Sequence, residues 1–359
     1  MIITRTPFRI SFLGGGTDYP EWIREHGGAV LGCAINKYCY ISLRYLPPFF
    51  PHRYRIVYSI TETCSQPRQI RHPAVRAVCH KYFPDRGIEI HHDGDLPARS
   101  GMGSSSSFSV GLLNAVHAIR GHLSGRMELA KAAIHLEQKV LREHVGAQDQ
   151  IFASFGNLNY VRFLPAGDIL VRPLVLKNSR MDSLISHCLL FFTGTVRTSS
   201  QIASTYADGM KARKEELKKL PELVSEGVRV ISASRPDYPS FGKLLDEAWK
   251  IKRSISKAIS NSKIESIYEV VKRGGAWGGK ILGAGGGGFF LVFAPPSAHS
   301  RIRKSLKSLL EIPFEVDRLG SQVIFYDPEI DYRKCESSQS SHARRAALDL
   351  TGDSWRKTQ

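Results

Sequence analysis

Pro97-Ala98-Arg99-Ser100-Gly101-Met102-Gly103-Ser104-Ser105-Ser106-Ser107 is the stretch on which the reading of the whole chain turns. Before it, Ile88-Glu89-Ile90-His91 alternates apolar and polar residues and ends at Asp93-Gly94-Asp95-Leu96, the pattern of a short strand running into a loop. After it, Phe108, Leu112, Leu113, Val116 and Ile119 recur at helical spacing. A glycine- and serine-rich loop therefore joins a strand to the start of an amphipathic helix. Glycine lets backbone approach a phosphate closely, and the free N–H groups of a helix start point at the anion. Gly101, Met102, Gly103, Ser104, Ser105 and Ser106 are the candidate phosphate-binding residues. Hydroxyls such as those of Ser104 and Ser105 can cap the helix, donate to phosphate or ligate magnesium. No Gly-Lys-Ser/Thr follows at the required spacing, so this is not a Walker-type loop. A flexible Gly/Ser turn is the competing reading, and the helix start argues against it.

Three further stretches carry chemistry. Gly283-Ala284-Gly285-Gly286-Gly287-Gly288 fits the G-x-G-x-x-G pattern, but a dinucleotide fold needs a helix next. Phe289 to Phe293 reads as a strand instead, so a turn that lets another loop pack closely is expected. In Gly146-Ala147-Gln148-Asp149-Gln150, just past the helix that carries Glu137, Asp149 is placed to orient a hydroxyl and accept its proton. In Pro7-Phe8-Arg9-Ile10-Ser11-Phe12-Leu13-Gly14-Gly15-Gly16-Thr17-Asp18-Tyr19, Arg9 stands in a strand-like run and Asp18 in the loop beyond it. Each of these alone would more often be a turn residue.

The order of strands, helices, strands, helices and strands lacks regular βα alternation, which predicts two α+β domains sharing a cleft. The expected division is 1–165, 166–326 and a polar tail, 327–359. At 359 residues, with 42% hydrophobic and 23% charged residues, the chain can bury ordinary cores. No apolar run suits a bilayer, and the opening Met1-Ile2-Ile3-Thr4-Arg5 is unlike a signal peptide, so a cytoplasmic protein without a membrane partner is expected. The cysteines at 33, 39, 64, 79, 188 and 335 form no CxxC pair, which predicts reduced thiols and no transition-metal site. A net charge of +17 favours anionic partners, and phosphorylated metabolites are preferred to nucleic acid because no aromatic-and-basic motif accompanies the charge.

Taken together, these stretches resemble the galactokinase, homoserine kinase, mevalonate kinase and phosphomevalonate kinase (GHMP) superfamily over residues 2 to about 326. Met102 replaces the leucine of its Gly-Leu-Gly-Ser-Ser loop. The resemblance implies a two-domain α+β fold and an ATP- and magnesium-dependent kinase, monomeric or homodimeric. It makes Asp149 the catalytic carboxylate, Arg9 the residue that polarises the acceptor, and Ser105 with Glu137 the magnesium ligands. It implies that Asp18, with Gly15, Gly16 and Thr17, meets the sugar. Gly15-Gly16 stand where galactokinases have Glu-His, which speaks against galactose. The Gly14–Tyr19 opening, Thr193-Gly194-Thr195-Val196-Arg197 and Lys280-Ile281-Leu282-Gly283-Ala284 are most similar to D-glycero-D-manno-heptose 7-phosphate kinases. That likeness implies phosphorylation of the anomeric hydroxyl of a sugar that already carries a phosphate; Arg197 and Lys280, cationic donors beside glycines, are the candidates for holding that phosphate, with Gly285 and Gly286 also toward the substrate. A kinase for another sugar such as fucose, or a non-catalytic nucleotide- or sugar-binding relative, are the alternatives.

Overall fold

The computed structural model describes residues 1–195, 209, 210 and 212–327. β1 (Ile2–Leu13) starts with alternating burial and becomes buried throughout. A short helix, α1 (Pro20–His26), leads into β2 (Gly28–Tyr45), which runs antiparallel to β1. The eighteen residues of β2 serve two neighbours in turn. Its second half pairs with β5 (Ile88–Gly94), beyond which lie β3 (Tyr54–Val57) and β4 (Thr61–Cys64). Its first half pairs with β6 (Leu158–Phe163), which pairs in turn with β7 (Ile169–Pro173). Covering this sheet are α2 (Pro73–Tyr82), α3 (Ser104–Ile119), α4 (Arg126–His135) and α5 (Gln148–Phe155). The helix expected to carry Glu137 keeps α geometry only to His135. A wider π-helical turn, Leu136–Val140, follows and carries Glu137.

The second half supplies α6 (Asn178–Ile185), β8 (Cys188–Phe192), α7 (Lys214–Lys218), α8 (Leu220–Ser232), α9 (Tyr238–Ile255), α10 (Ser262–Arg273), β9 (Gly278–Ile281), β10 (Phe289–Phe293), α11 (Pro296–Ser305) and β11 (Leu310–Glu311). Its four strands form one antiparallel sheet in the order β11-β8-β10-β9. The strand expected at Phe289–Phe293 is there, preceded by a turn and not by a helix. The fold is a mixture of helices and two sheets, as the α+β reading requires.

The division at residue 165 needs correction. β7 completes the first sheet after that point, and β12 (Gln322–Tyr326) returns from the far end of the chain to pair with β1. An uncovered β1 would leave a row of unpaired backbone groups, and β12 satisfies them from Ile2 to Arg5 only. Pro7, which has no N–H to give, marks a register shift in β1. Past it the same edge is taken by the phosphate loop, where Arg9 N–H donates to Met102 O at 3.1 Å. The tail expected from residue 327 lies, beyond Asp327, outside the described residues.

α9 repeats apolar residues at Phe241, Leu245, Ala248 and Trp249, buries that face and packs on β9. Trp249 is wholly buried in this core. Trp249→Ala should cost about 3–5 kcal/mol, seen as a lower midpoint of urea or thermal unfolding. An unchanged midpoint would mean that α9 contributes no core.

Candidate active site

The phosphate loop owes its path to glycines in the left-handed region: Gly101 has φ +81° and Gly103, immediately before α3, φ +75°. A Cβ on Gly101 would lie 2.5 Å from Leu282 O, and one on Gly103 would lie 3.3 Å from Arg9 Cγ and from Asp149 Oδ2. The loop is folded on itself by Arg99 N–H donating to Ser104 Oγ at 3.0 Å. It is tied to β1 by Ser107 Oγ donating to Pro7 O at 2.9 Å. No side chain caps α3, so the N–H groups of its first turn remain for an anion. Met102 takes part in the loop through its backbone. Its side chain is completely buried in the core.

Opposite the loop, Asp149 occupies the first turn of α5. Arg9 Nε donates to Asp149 Oδ1 at 2.7 Å, Arg9 Nη2 to Oδ2 at 2.8 Å, and Arg9 Nη1 to Gly101 O at 2.6 Å. This two-pronged contact fixes the plane of the carboxylate beside the loop. Asp18 lies deeper. It accepts from Gly16 N–H at 2.9 Å and Gln148 N–H at 3.2 Å, and a Cβ on Gly146 would fall 1.9 Å from its Oδ2. Burial raises the Asp18 pKa, the charge of Asp149 raises it further, and the backbone N–H donors pull against both.

Glu137 is 1% exposed. Its Oε2 accepts from Ser106 Oγ at 2.9 Å and from Gln150 Nε2 at 2.5 Å, whereas its buried Oε1 has no hydrogen-bond partner. Burial pushes its pKa up to about 7, against the pull of the nearby polar side chains of Ser109, Ser106 and Gln150. An orphaned carboxylate oxygen beside serine hydroxyls fits a hard divalent cation such as magnesium. The serine hydrogen-bonded to Glu137 is Ser106, the neighbour of Ser105, the expected magnesium ligand. Ser105 is exposed, although it lines the same cleft.

One cleft thus gathers Arg9, Asp18, Ser104, Ser105, Glu137 and Asp149, residues up to 140 positions apart. Gly16 also lines it, while Gly15 lies against Gln148 and Ser11. Other expected substrate residues do not face it. Thr17 is fully buried, with its hydroxyl shared among Gly14 O, Ala29 O and Ala29 N–H, and so braces the turn. Lys280, 3% exposed, donates from Nζ to Ser11 O and Phe12 O at 3.0 Å each. Burial, with the cations of Lys252 and Arg9 nearby, holds the Lys280 pKa well below the usual lysine range. A side chain spent on two backbone carbonyls behind β1 cannot hold a substrate phosphate. Gly285 and Gly286 pack on the segment before α10, with Gly286 N–H donating to Ile259 O at 2.8 Å. Their neighbours Gly283 and Ala284 are the ones that line the cleft. Arg197 lies outside the described residues.

Lys252 is the cleft residue that sequence reasoning missed. It falls on the buried stripe of α9 between Trp249 and Ile255, where helical periodicity calls for an aliphatic side chain. A lysine at such a position was the available signal.

Comparison with known proteins gives a consistent picture. Residues 69–157 match the family described as GHMP kinases N terminal domain, and residues 230–312 match GHMP kinases C terminal. The chain is 27% identical over 321 residues to a D-glycero-alpha-D-manno-heptose 7-phosphate kinase of Campylobacter jejuni, covering 85% of this chain and 93% of that one. It is 24% identical over 338 residues to a bifunctional fucokinase/GDP-fucose pyrophosphorylase of Arabidopsis thaliana, covering 87% of this chain but 31% of that much longer one. The crystal structure of a D-glycero-D-manno-heptose 1-phosphate kinase from Bacteroides thetaiotaomicron shares the fold. The TM-score is 0.74 at 23% identity, with 91% of this chain and 100% of that one covered. No described helix is long and apolar enough to cross a membrane.

Glu137 yields a stability test. The folded chain keeps the Glu137 proton up to about pH 7, whereas an unfolded glutamate loses it near 4.5. Folding therefore takes up a proton between these values, and the contribution of this group falls as pH rises through them. With metal chelated, Glu137→Gln should melt with wild type near pH 4.5 and several degrees above it at pH 8. Equal differences at both pH values would mean that this carboxylate is not held protonated by burial.

Proposed function

The chain belongs to the GHMP kinases, and from that premise we propose that it transfers the γ-phosphoryl group of ATP to the anomeric hydroxyl of a sugar phosphate, with a heptose 7-phosphate as the first choice. The observation that carries this reading is Asp149, fixed by Arg9 directly across from the uncapped start of α3.

In this scheme the backbone N–H groups at Gly101–Ser106 receive the ATP phosphates. Each oxygen of Asp149 keeps a lone pair after accepting from Arg9, enough to orient the acceptor hydroxyl and take its proton. Arg9, its third donor already on Gly101 O, keeps loop and carboxylate in one geometry and offsets charge that develops between them. Asp18 likewise retains lone pairs for sugar hydroxyls. Glu137 and Ser106, with Ser105 at the rim, would hold magnesium, which when bound supplies positive charge to the β- and γ-phosphate oxygens. Positioning and electrostatics supply the acceleration. Since every named group comes from one chain, a monomer or a homodimer would serve, in the cytoplasm and without nucleic acid or membrane.

The heptose 7-phosphate is supported by the name of the C. jejuni relative, which this chain matches across most of both lengths. The name of the A. thaliana relative supports fucose as second reading. An ADP-release screen over heptose 7-phosphate, heptose 1-phosphate, fucose and galactose separates them. No release with any sugar phosphate would overturn the first reading. With the best acceptor, Asp149→Asn should fold normally, bind nucleotide within about threefold of wild type, and lose on the order of 10³ or more in kcat. Retention of wild-type turnover would remove Asp149 from its role.

A further inference from the structure

One cation in the cleft has no task in the scheme above. Lys252 reaches in from the last turn of α9 and is 7% exposed. Its Nζ donates to Gly283 O at 2.5 Å, the single protein partner it has among the described residues. An ammonium group carries three donors, and two are left over. A buried cation with no carboxylate in contact is costly, and folds retain one where a ligand supplies the missing charge.

The surroundings narrow down that ligand. Gly283, which Lys252 holds, packs on the phosphate loop so tightly that a Cβ there would lie 2.4 Å from Gly101 Cα. Charged groups of four other segments bear on Lys252: Arg9 of β1 and Lys280 of β9 repel it, while Asp18 of the glycine turn and Asp149 of α5 attract it. Lys252 therefore stands where the phosphate loop meets the proton-accepting carboxylate, and its free donors line the shared cleft.

We propose that Lys252 binds a non-bridging oxygen of the phosphoryl group in transit, as the second half's contribution to a site otherwise built from the first. The inference rests on the kinase reading. During transfer the bond from the γ-phosphorus to the ADP oxygen breaks and one to the acceptor oxygen forms. The acceptor proton goes to Asp149, and Lys252 keeps its own proton throughout. Burial first, then Arg9, lowers the Lys252 pKa to about 8, so the free enzyme should lose this charge in mildly alkaline solution.

The test uses the full chain, Lys252→Met and Lys252→Arg, each checked for wild-type melting behaviour. Lys252→Met should lower kcat by about 100-fold or more, on phosphorylated and unphosphorylated acceptors alike, with ADP affinity nearly unchanged. Lys252→Arg should recover part of that loss. In wild type, kcat/KM should decline above about pH 8, and that decline should vanish in Lys252→Arg. ADP binding with and without aluminium fluoride, a mimic of the phosphoryl in transit, gives a readout that needs no acceptor. Wild type should gain affinity from the fluoride, and Lys252→Met should lose that gain. A kcat within threefold of wild type in the Met variant overturns the proposal. So does a defect confined to KM for phosphorylated acceptors, which would assign Lys252 to the acceptor's own phosphate. Should wild type phosphorylate none of the sugars, the kinase reading fails, and an aluminium fluoride gain unaffected by Lys252→Met sinks the lysine separately.

Discussion

Arg9 leaves β1 with Nε and Nη2 on the two oxygens of Asp149 and Nη1 on Gly101 O, while its backbone N–H holds Met102 O. Strand, phosphate loop and α5 are thereby fixed to one another by a single residue, 3% exposed. A guanidinium withdrawn from water must have its donors answered, and here two are answered by Asp149 of α5 and a third by the phosphate loop. The geometry leaves little slack. Gly103 lies so close to Arg9 and Asp149 that a Cβ there would make either give by a few tenths of an ångström, and its left-handed backbone sets the direction in which α3 begins.

Contacts of the same kind bring in the second half. Gly283 lies on Gly101, Gly288 lies on Ser100, and Lys280 crosses behind β1 to the carbonyls of Ser11 and Phe12. The two glycine contacts are backbone-to-backbone approaches that a Cβ would push apart, so the two glycine-rich stretches are one structural feature seen from two sides. The helix α9 is carried into place by that contact, and with it Lys252. Lys280 and Lys252 illustrate how burial sorts similar side chains. The first has two carbonyls to satisfy it, and the second has one carbonyl and an open cleft.

Much of this was legible in the sequence where a local pattern had a local cause. The strand before Pro97, the helix after Ser107 and the strand at Phe289–Phe293 follow from periodicity. Arg9, Asp18, Glu137 and Asp149 were found because a family pattern marked them. What was illegible depended on long-range pairing. Nothing in Gln322–Tyr326 says that it returns to β1, since edge strands are chosen by which edge is open. Lys280 looked like a phosphate ligand because a lysine beside glycines has the right chemistry, and only the register of β9 shows it turned inward. That Ser106 is the serine hydrogen-bonded to Glu137 is of the same origin. Helical phase decides which of four consecutive serines meets Glu137, and the serines themselves carry no phase.

The choice of acceptor rests on how the sugar end of the cleft is bounded. Asp18 is held by Gly16 N–H and Gln148 N–H and is wedged against Gly146, so its carboxylate cannot retreat to admit a different substrate. Gly15 and Gly16 project no side chain where a galactokinase has two, and a Cβ on Gly15 would already lie 3.3 Å from the Gln148 amide. A fixed hydrogen-bonding floor with its bulk removed suits an acceptor that presents the same hydroxyls as a hexose and extends further. An additional carbon bearing a phosphate is such an extension. With Lys280 turned inward and Lys252 proposed for the transfer point, a cation for such a phosphate would have to come from elsewhere along the rim. Arg99 lines the cleft on the phosphate-loop side, and His144 lines it on the side of Asp18 and Tyr19, against whose ring it stands at 5.2 Å. On the proposed reading of a heptose 7-phosphate the phosphate is remote from the reacting hydroxyl, which would put its counter-charge on the side near Asp18.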